Sequence, residues 1–153
     1  MALGLPKLED DSLASHRFYV EIDGTAIGRF QEVSGLTSEV KVIEQPYNNS
    51  KGLHSIKKTP GNYVPATIKL KRGLDLNMEL YKWHQKIVQD GDVPGARKNG
   101  SVVFCGYDTK EVARYNFKNA WVSKYSGGSG KAGGSEIIAE EVDIITEELV
   151  RVT

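Results

Sequence analysis

Sulfur, long apolar runs and net charge are all scarce in this chain of 153 residues. The one cysteine, Cys105, excludes an intramolecular disulfide and every multi-cysteine metal site, so the fold must be held by its core or by assembly. No segment approaches the roughly 20 apolar residues that a membrane helix needs. The opening MALGLPKLEDD also lacks the apolar run of a signal peptide, which predicts a protein made in the cytosol, not exported by a standard signal, and without a membrane anchor. The 20 Lys and Arg residues equal the 20 Asp and Glu residues, so the whole molecule has no pull toward nucleic acid or anionic lipid. Histidine is sparse too: His16, His54 and His84 are dispersed, none has a partner at ligand spacing, and no metal site is expected.

What is present suits one domain with one core, residues 16–153, preceded by a polar arm over 1–15. RFYVEIDG places Phe18, Val20 and Ile22 on one face and Arg17, Tyr19 and Glu21 on the other, the period of a half-buried strand, and Asp23-Gly24 supplies a turn. AIGRFQEVSG follows as a short strand, with Gly28 as a bulge position and Ser34-Gly35 as a stop. SEVKVIEQ and ATIKLKRG alternate again. Between them, residues 44–65 hold three prolines, two glycines and three asparagines, which excludes a central strand and predicts an extended hairpin with a mobile tip. LDLNMELYKWHQKIVQDG carries the helical spacing, with Leu76, Leu80, Trp83 and Ile87 on one stripe, Asp75 as N-cap and Gly91 at the C-terminal cap. NGSVVFCGYD, EVARYNFKNAWVSKYS and SEIIAEEVDIITEEL read as three further strands, with Asp108-Thr109 in the turn between the first two. The expected fold is mainly β: a small antiparallel sandwich or barrel of roughly seven strands, one α-helix over about 75–90 and a long hairpin over about 39–70.

Candidate chemistry is thin. YSGGSGKAGGS, residues 125–135, puts a lysine among five glycines. The phosphate-loop pattern needs a glycine where Tyr125 stands and a Ser or Thr where Ala132 stands, and it must open a helix, whereas this stretch leads into another strand pattern. It is an interstrand loop, and no cofactor is expected. Cys105 in VVFCGY reads as a buried strand residue. The pairs Glu140-Glu141 and Glu147-Glu148 read as solvated, because neighbours on a strand point to opposite faces and cannot share one catalytic site. The charges are unevenly placed, however. Residues 39–72 hold Lys41, Lys51, Lys57, Lys58, Lys69, Lys71 and Arg72 against Glu39 and Glu44, whereas residues 136–153 hold six acids against Arg151. That asymmetry suits copies that stack unlike ends. It also leaves open a nucleic-acid-binding β-barrel that uses the basic 41–72 segment with Tyr47, His54 and Tyr63 for stacking. No cluster of convergent titratable residues argues for an enzyme, and no catalytic residue is assigned.

HRFYVEIDGTAIGRFQEVSGL at 16–36, IKLKRG at 68–73, LYKWHQKI on the helix and ARYNFKNAWVSKYS at 113–126 together resemble the tail-tube protein family of contractile-tailed phages and extracellular contractile injection systems. The resemblance covers most of residues 16–150. It implies a structural, non-enzymatic protomer that closes into hexameric rings, stacked head to tail as the inner tube within a contractile sheath and driven through a target envelope on contraction. The implied partners are further copies of the chain, the sheath protein, baseplate and tube-terminating proteins, and cargo in the lumen, either a protein effector or DNA. Assembly is expected in the cytoplasm, as part of a phage tail or a tail-like particle that can be released. On this reading the hairpin residues Tyr47, Asn48, Lys51, His54, Lys57, Lys58 and Tyr63 are candidates for ring stacking. Strand parity makes Glu39, Lys41, Thr67, Lys69 and Lys71 lumen candidates, and Gly127, Gly128, Lys131 and Gly134 form a flexible contact loop.

Overall fold

A computed structural model describes residues 17–74, 78–106, 110–135 and 138–153. The arm expected over 1–15, the cap Asp75 with Leu76, and the turn at Asp108-Thr109 lie outside the described residues. The elements in chain order are β1 (Arg17–Ile22), β2 (Thr25–Arg29), β3 (Glu32–Ser34), β4 (Glu39–Asn48), β5 (His54–Val64), β6 (Thr67–Gly73), α1 (Glu79–Val88), α2 (Val93–Ala96), β7 (Lys98–Cys105), β8 (Glu111–Ser126), β9 (Ala139–Ile145) and β10 (Glu148–Arg151). The mainly β antiparallel expectation holds.

Two sheets share β8. Its first half pairs with β7 and β10, and β7 continues through β1 to β2; its second half pairs with β9, which continues through β6 to β3. The chain passes from β2 through Phe30 straight into β3, so the two sheets are also linked on their far side and enclose the core. The bend in β8 has a local cause. Lys98 pairs with Ala120 and Gly100 with Phe117, so Lys118 and Asn119 together face Asn99 as a bulge. Asn119 adopts φ 51°, a region that asparagine tolerates better than most residues. Its backbone N–H donates to Asn99 Oδ1 at 3.0 Å, and its side chain donates to Glu147 Oε2 at 2.8 Å.

The period-two patterns fall on the predicted faces. Val20 and Ile22 of β1, and Ile68 and Leu70 of β6, are buried with Val102, Phe117, Val122, Val142 and Ile144 in one cluster. Removing each such side chain from water contributes about 1.5–3 kcal/mol. Gly28 does sit in a bulge: Tyr19 pairs with Arg29 and Glu21 with Ala26, so Ile27 and Gly28 face Val20 alone. The stop at Gly35 has a steric reason, since φ is +81° and a Cβ there would lie 2.0 Å from the Thr67 carbonyl oxygen.

Strand and helix counts depart from expectation. There are ten strands among the described residues rather than about seven. The last expected strand is broken at Thr146, which is buried and whose hydroxyl donates to the Ala66 carbonyl at 2.7 Å, so the chain leaves β6 and resumes pairing on the first half of β8 as β10. Helix α1 begins at Glu79, with Met78 in the capping position making no side-chain cap. A second, one-turn helix, α2, follows Asp92, whose carboxylate accepts from the Gly95 N–H at 3.1 Å, with a proline in its first turn. Leu80 and Trp83 anchor α1 on the core; Trp83 Nε1 donates to the Ala96 carbonyl at 2.6 Å, locking α1 to α2. His84 Nδ1 lies 2.9 Å from the Val122 carbonyl, and because a carbonyl only accepts, Nδ1 carries the proton and ties the helix to β8.

Candidate assembly surfaces

The stretch from 39 to 64 forms a two-stranded ribbon, β4 with β5, separate from the shared sheets. The tip is built by Asn49, whose side chain accepts from the backbone N–H groups of Lys51 and Leu53 at 2.9 and 3.0 Å, with Gly52 in the left-handed region. Along the ribbon Val42, Pro46 and Ile56 share one face, with Glu44 opposite Lys58; Ile43 and Tyr47 share the other, with Gln45 opposite Lys57. Every residue of β4 is exposed, including Val42 at 63% and Ile43 at 50%, and Leu53 at the tip is 61% exposed. All seven stacking candidates lie on this element. Tyr63 is at its base, where the phenol oxygen accepts from the Leu149 N–H at 3.4 Å.

A second surface is the outer face of the β3-β6-β9-β8 sheet. Thr67, Lys69 and Lys71 share this face of β6, opposite the buried Ile68 and Leu70. Glu39 and Lys41 do not join them: both belong to β4, in the ribbon, where Lys41 stands in a register irregularity between Val40 and Val42. β6 pairs along its length with β9, bringing Lys69 beside Asp143, Lys71 beside Glu141 and Arg72 beside Glu140. The basic and acidic segments that look like opposite ends in the sequence are therefore partly neighbours within one protomer.

Arg72 and Glu140 correct the sequence reading. Glu140 is not solvated: its side chain is 2% exposed and that of Arg72 is 4%. The guanidinium Nε of Arg72 donates to Glu140 Oε1, Tyr125 donates its hydroxyl to Glu140 Oε2 at 2.7 Å, and the Arg72 guanidinium lies 5.6 Å from the Phe30 ring centre. Burial and then the bond to Glu140 push the Tyr125 hydroxyl up to about 12. The strand parity carries this signal, because Arg72 falls in step with Ile68 and Leu70, and Glu140 in step with Val142 and Ile144. Glu141, by contrast, is exposed, as are Glu147 and Glu148. On the first sheet Arg114 donates to Glu111 at 2.6 Å and to Glu21 at 2.9 Å, which holds the Glu111 carboxyl below its ordinary range.

The basic 41–72 segment is thus divided three ways: Lys41, Lys51, Lys57 and Lys58 on the ribbon, Lys69 and Lys71 beside carboxylates, and Arg72 in the interior. It does not form the continuous groove that single-stranded nucleic acid needs. Gly127, Gly128, Lys131 and Gly134 lie in the connection from β8 to β9, and among the described residues this connection leads into a strand rather than a helix. This loop is not uniformly slack: Gly128 has φ +75° and packs so close to the Ala139 carbonyl that a Cβ would be 2.1 Å away, and Gly134 N–H donates to the Lys131 carbonyl. Cys105 is buried and free. Among the described residues no group of three or more His, Cys, Asp or Glu side chains is placed to hold a metal ion, and no helix is long and apolar enough to cross a membrane.

Residues 14–150 match the family model described as T4-like virus tail tube protein gp19. No curated protein sequence matches the chain. Among solved structures, the sheath–tube complex of the extracellular contractile injection system PVC in the extended state contains a chain 23% identical, with a TM-score of 0.78 over 94% of this chain and 93% of that one. The tube-terminating cap of the anti-feeding prophage contains one at 20% identity and TM-score 0.76, over 97% and 99%. Hcp1 from Flavobacterium johnsoniae matches at 17% identity and TM-score 0.54, over 88% and 94%.

Proposed function

Since the chain belongs to the T4-like virus tail tube protein gp19 family, whose members are structural tube subunits and not enzymes, we propose that it closes into sixfold rings that stack head to tail as the inner tube of a sheathed, contractile particle. The observation that carries this reading is the ribbon. A two-stranded ribbon in water is marginal by itself, and this one exposes apolar side chains on both faces. It gains stability by lying between neighbouring copies, which cover both faces at once. A contact of this head-to-tail kind propagates until another protein caps it. The fold shared with chains of a sheath–tube complex and a tube-terminating cap supports partners of those two kinds, and baseplate components with them. The outer face of β6 and β9 then lines the channel through which cargo passes, and assembly takes place in the cytoplasm before the particle is released.

Sedimentation velocity of the full chain beside a variant with residues 47–62 replaced by a short turn tests the ribbon's role. The full chain is expected to sediment as rings and longer stacks with rising concentration. The shortened chain should keep its β circular dichroism signal and lose the stacks. Undiminished stacking by the shortened chain, or a full chain that is monomeric at every concentration and salt, would overturn the proposal.

A further inference from the structure

The outer face of the β3-β6-β9-β8 sheet carries three lysines and three carboxylates in two cross-strand rows. In one row Glu32, Lys71 and Glu141 stand side by side; in the other Lys69, Asp143 and Lys124 do. Directly paired residues place their Cβ atoms about 4.5–5.5 Å apart, so every lysine has a carboxylate as its immediate neighbour. Lys71 Nζ is 3.9 Å from Glu141 Oε1. All six line one shallow hollow, and their charges sum to zero. Signs alternate along both rows.

We propose that Glu32, Glu141 and Asp143 determine the specificity of this face: they mask Lys69, Lys71 and Lys124, so that a polyanion in contact with the face is not retained. An extended polyanion binds by replacing condensed counterions with protein cations. Here each cation already has an anion beside it, and a nucleic acid would have to displace or be repelled by that anion at every step. The same face without its three acids is an array of lysines with a spacing set by the sheet. That the face lines a channel rests on the proposed function; the masking does not.

The test compares the full chain with a variant in which the acids are neutralised, Glu32→Gln, Glu141→Gln and Asp143→Asn, by fluorescence polarisation of a short labelled single-stranded DNA. The variant should bind with a slope of log affinity against log salt about 2 steeper than the parent, from roughly 0.7 for each of the three unmasked lysines. A fourfold rise in salt then weakens that added binding about 20-fold. Adding Lys69→Ala, Lys71→Ala and Lys124→Ala to the variant should abolish the gain, which separates this face from the ribbon lysines. The single variant Glu141→Lys, at an exposed position, should gain binding in the same direction and serves if the triple variant does not fold. No gain in either variant, or a gain that survives loss of the three lysines, overturns the proposal. Binding by the dispersed variant with no retention by its assembled tubes upholds the masking while contradicting the channel placement.

Discussion

Replacing Glu140 with glutamine tests whether the interior of the second sheet depends on charge. The pair is almost fully withdrawn from water, with Arg72 4% and Glu140 2% exposed. Both oxygens of the carboxylate are used, one by Arg72 and the other by the Tyr125 hydroxyl. Glutamine keeps the shape and an acceptor but removes the negative charge that faces the guanidinium. Breaking a buried pair in this way costs about 3–5 kcal/mol, because the remaining charge keeps its desolvation penalty. For a chain of this size each kcal/mol moves Tm by about 2–4 °C, so Glu140→Gln should lower it by roughly 6–20 °C. Replacing both partners, Arg72→Met with Glu140→Leu, should recover most of the loss, since an apolar pair of similar volume is often neutral or better. It still deprives Tyr125 of its acceptor, at about 1–3 kcal/mol, and adding Tyr125→Phe should return that part. Urea unfolding followed by fluorescence of Trp83 and Trp121 measures all four proteins, at a concentration where each sediments as a single species. A loss below about 1 kcal/mol in Glu140→Gln would refute the reasoning, given the scale expected for buried pairs.

Three further outcomes follow from the same geometry. The Tyr125 hydroxyl titrates in the folded chain near 12 rather than at its ordinary 10.0, so the folded state holds a proton that the unfolded state has lost; urea midpoints should be level in this respect below pH 10 and fall between about 10 and 12, and Tyr125→Phe should lack that fall. Gly35→Ala should cost about 1–3 kcal/mol in backbone strain alone, and more where the new Cβ meets the Thr67 carbonyl, as read by the shift in Tm. Cys105, 4% exposed in β7, should react with a chromogenic disulfide reagent only at the rate of unfolding, and rapid labelling of the native chain would show that β7 opens far more readily than its burial implies.

Much of the local structure is written in short alternations. Phe18, Val20 and Ile22, and again Ile68 and Leu70, announce their faces without help from the rest of the chain, because the period of two is a property of the strand itself. The helix at LYKWHQ is equally plain, since Leu80 and Trp83 share a stripe. What was hidden depends on partners distant in sequence. β6 and β9 are about seventy residues apart, so nothing local says that Lys69 stands beside Asp143 or Lys71 beside Glu141, and the charge asymmetry looks external until the strands are paired. The double role of β8 was hidden for another reason: one asparagine at positive φ, supported by Asn99 and Glu147, bends a run that alternates as if it were a single straight strand. Glu140 shows the reverse failure. Its parity points inward, but its partner, Arg72, is 68 residues away, so nothing local in the sequence shows what would compensate a buried carboxylate there.

The most direct test of the tube reading is electron cryomicroscopy of the purified full-length chain at rising concentration. The account predicts class averages of sixfold rings and short stacks, in which Lys69, Lys71, Glu141 and Asp143 border the central hole and the β4–β5 ribbon contacts the adjacent copies. Dispersed monomers under every condition, or closed rings with that charged face on the outside and the ribbon free in solvent, would contradict it.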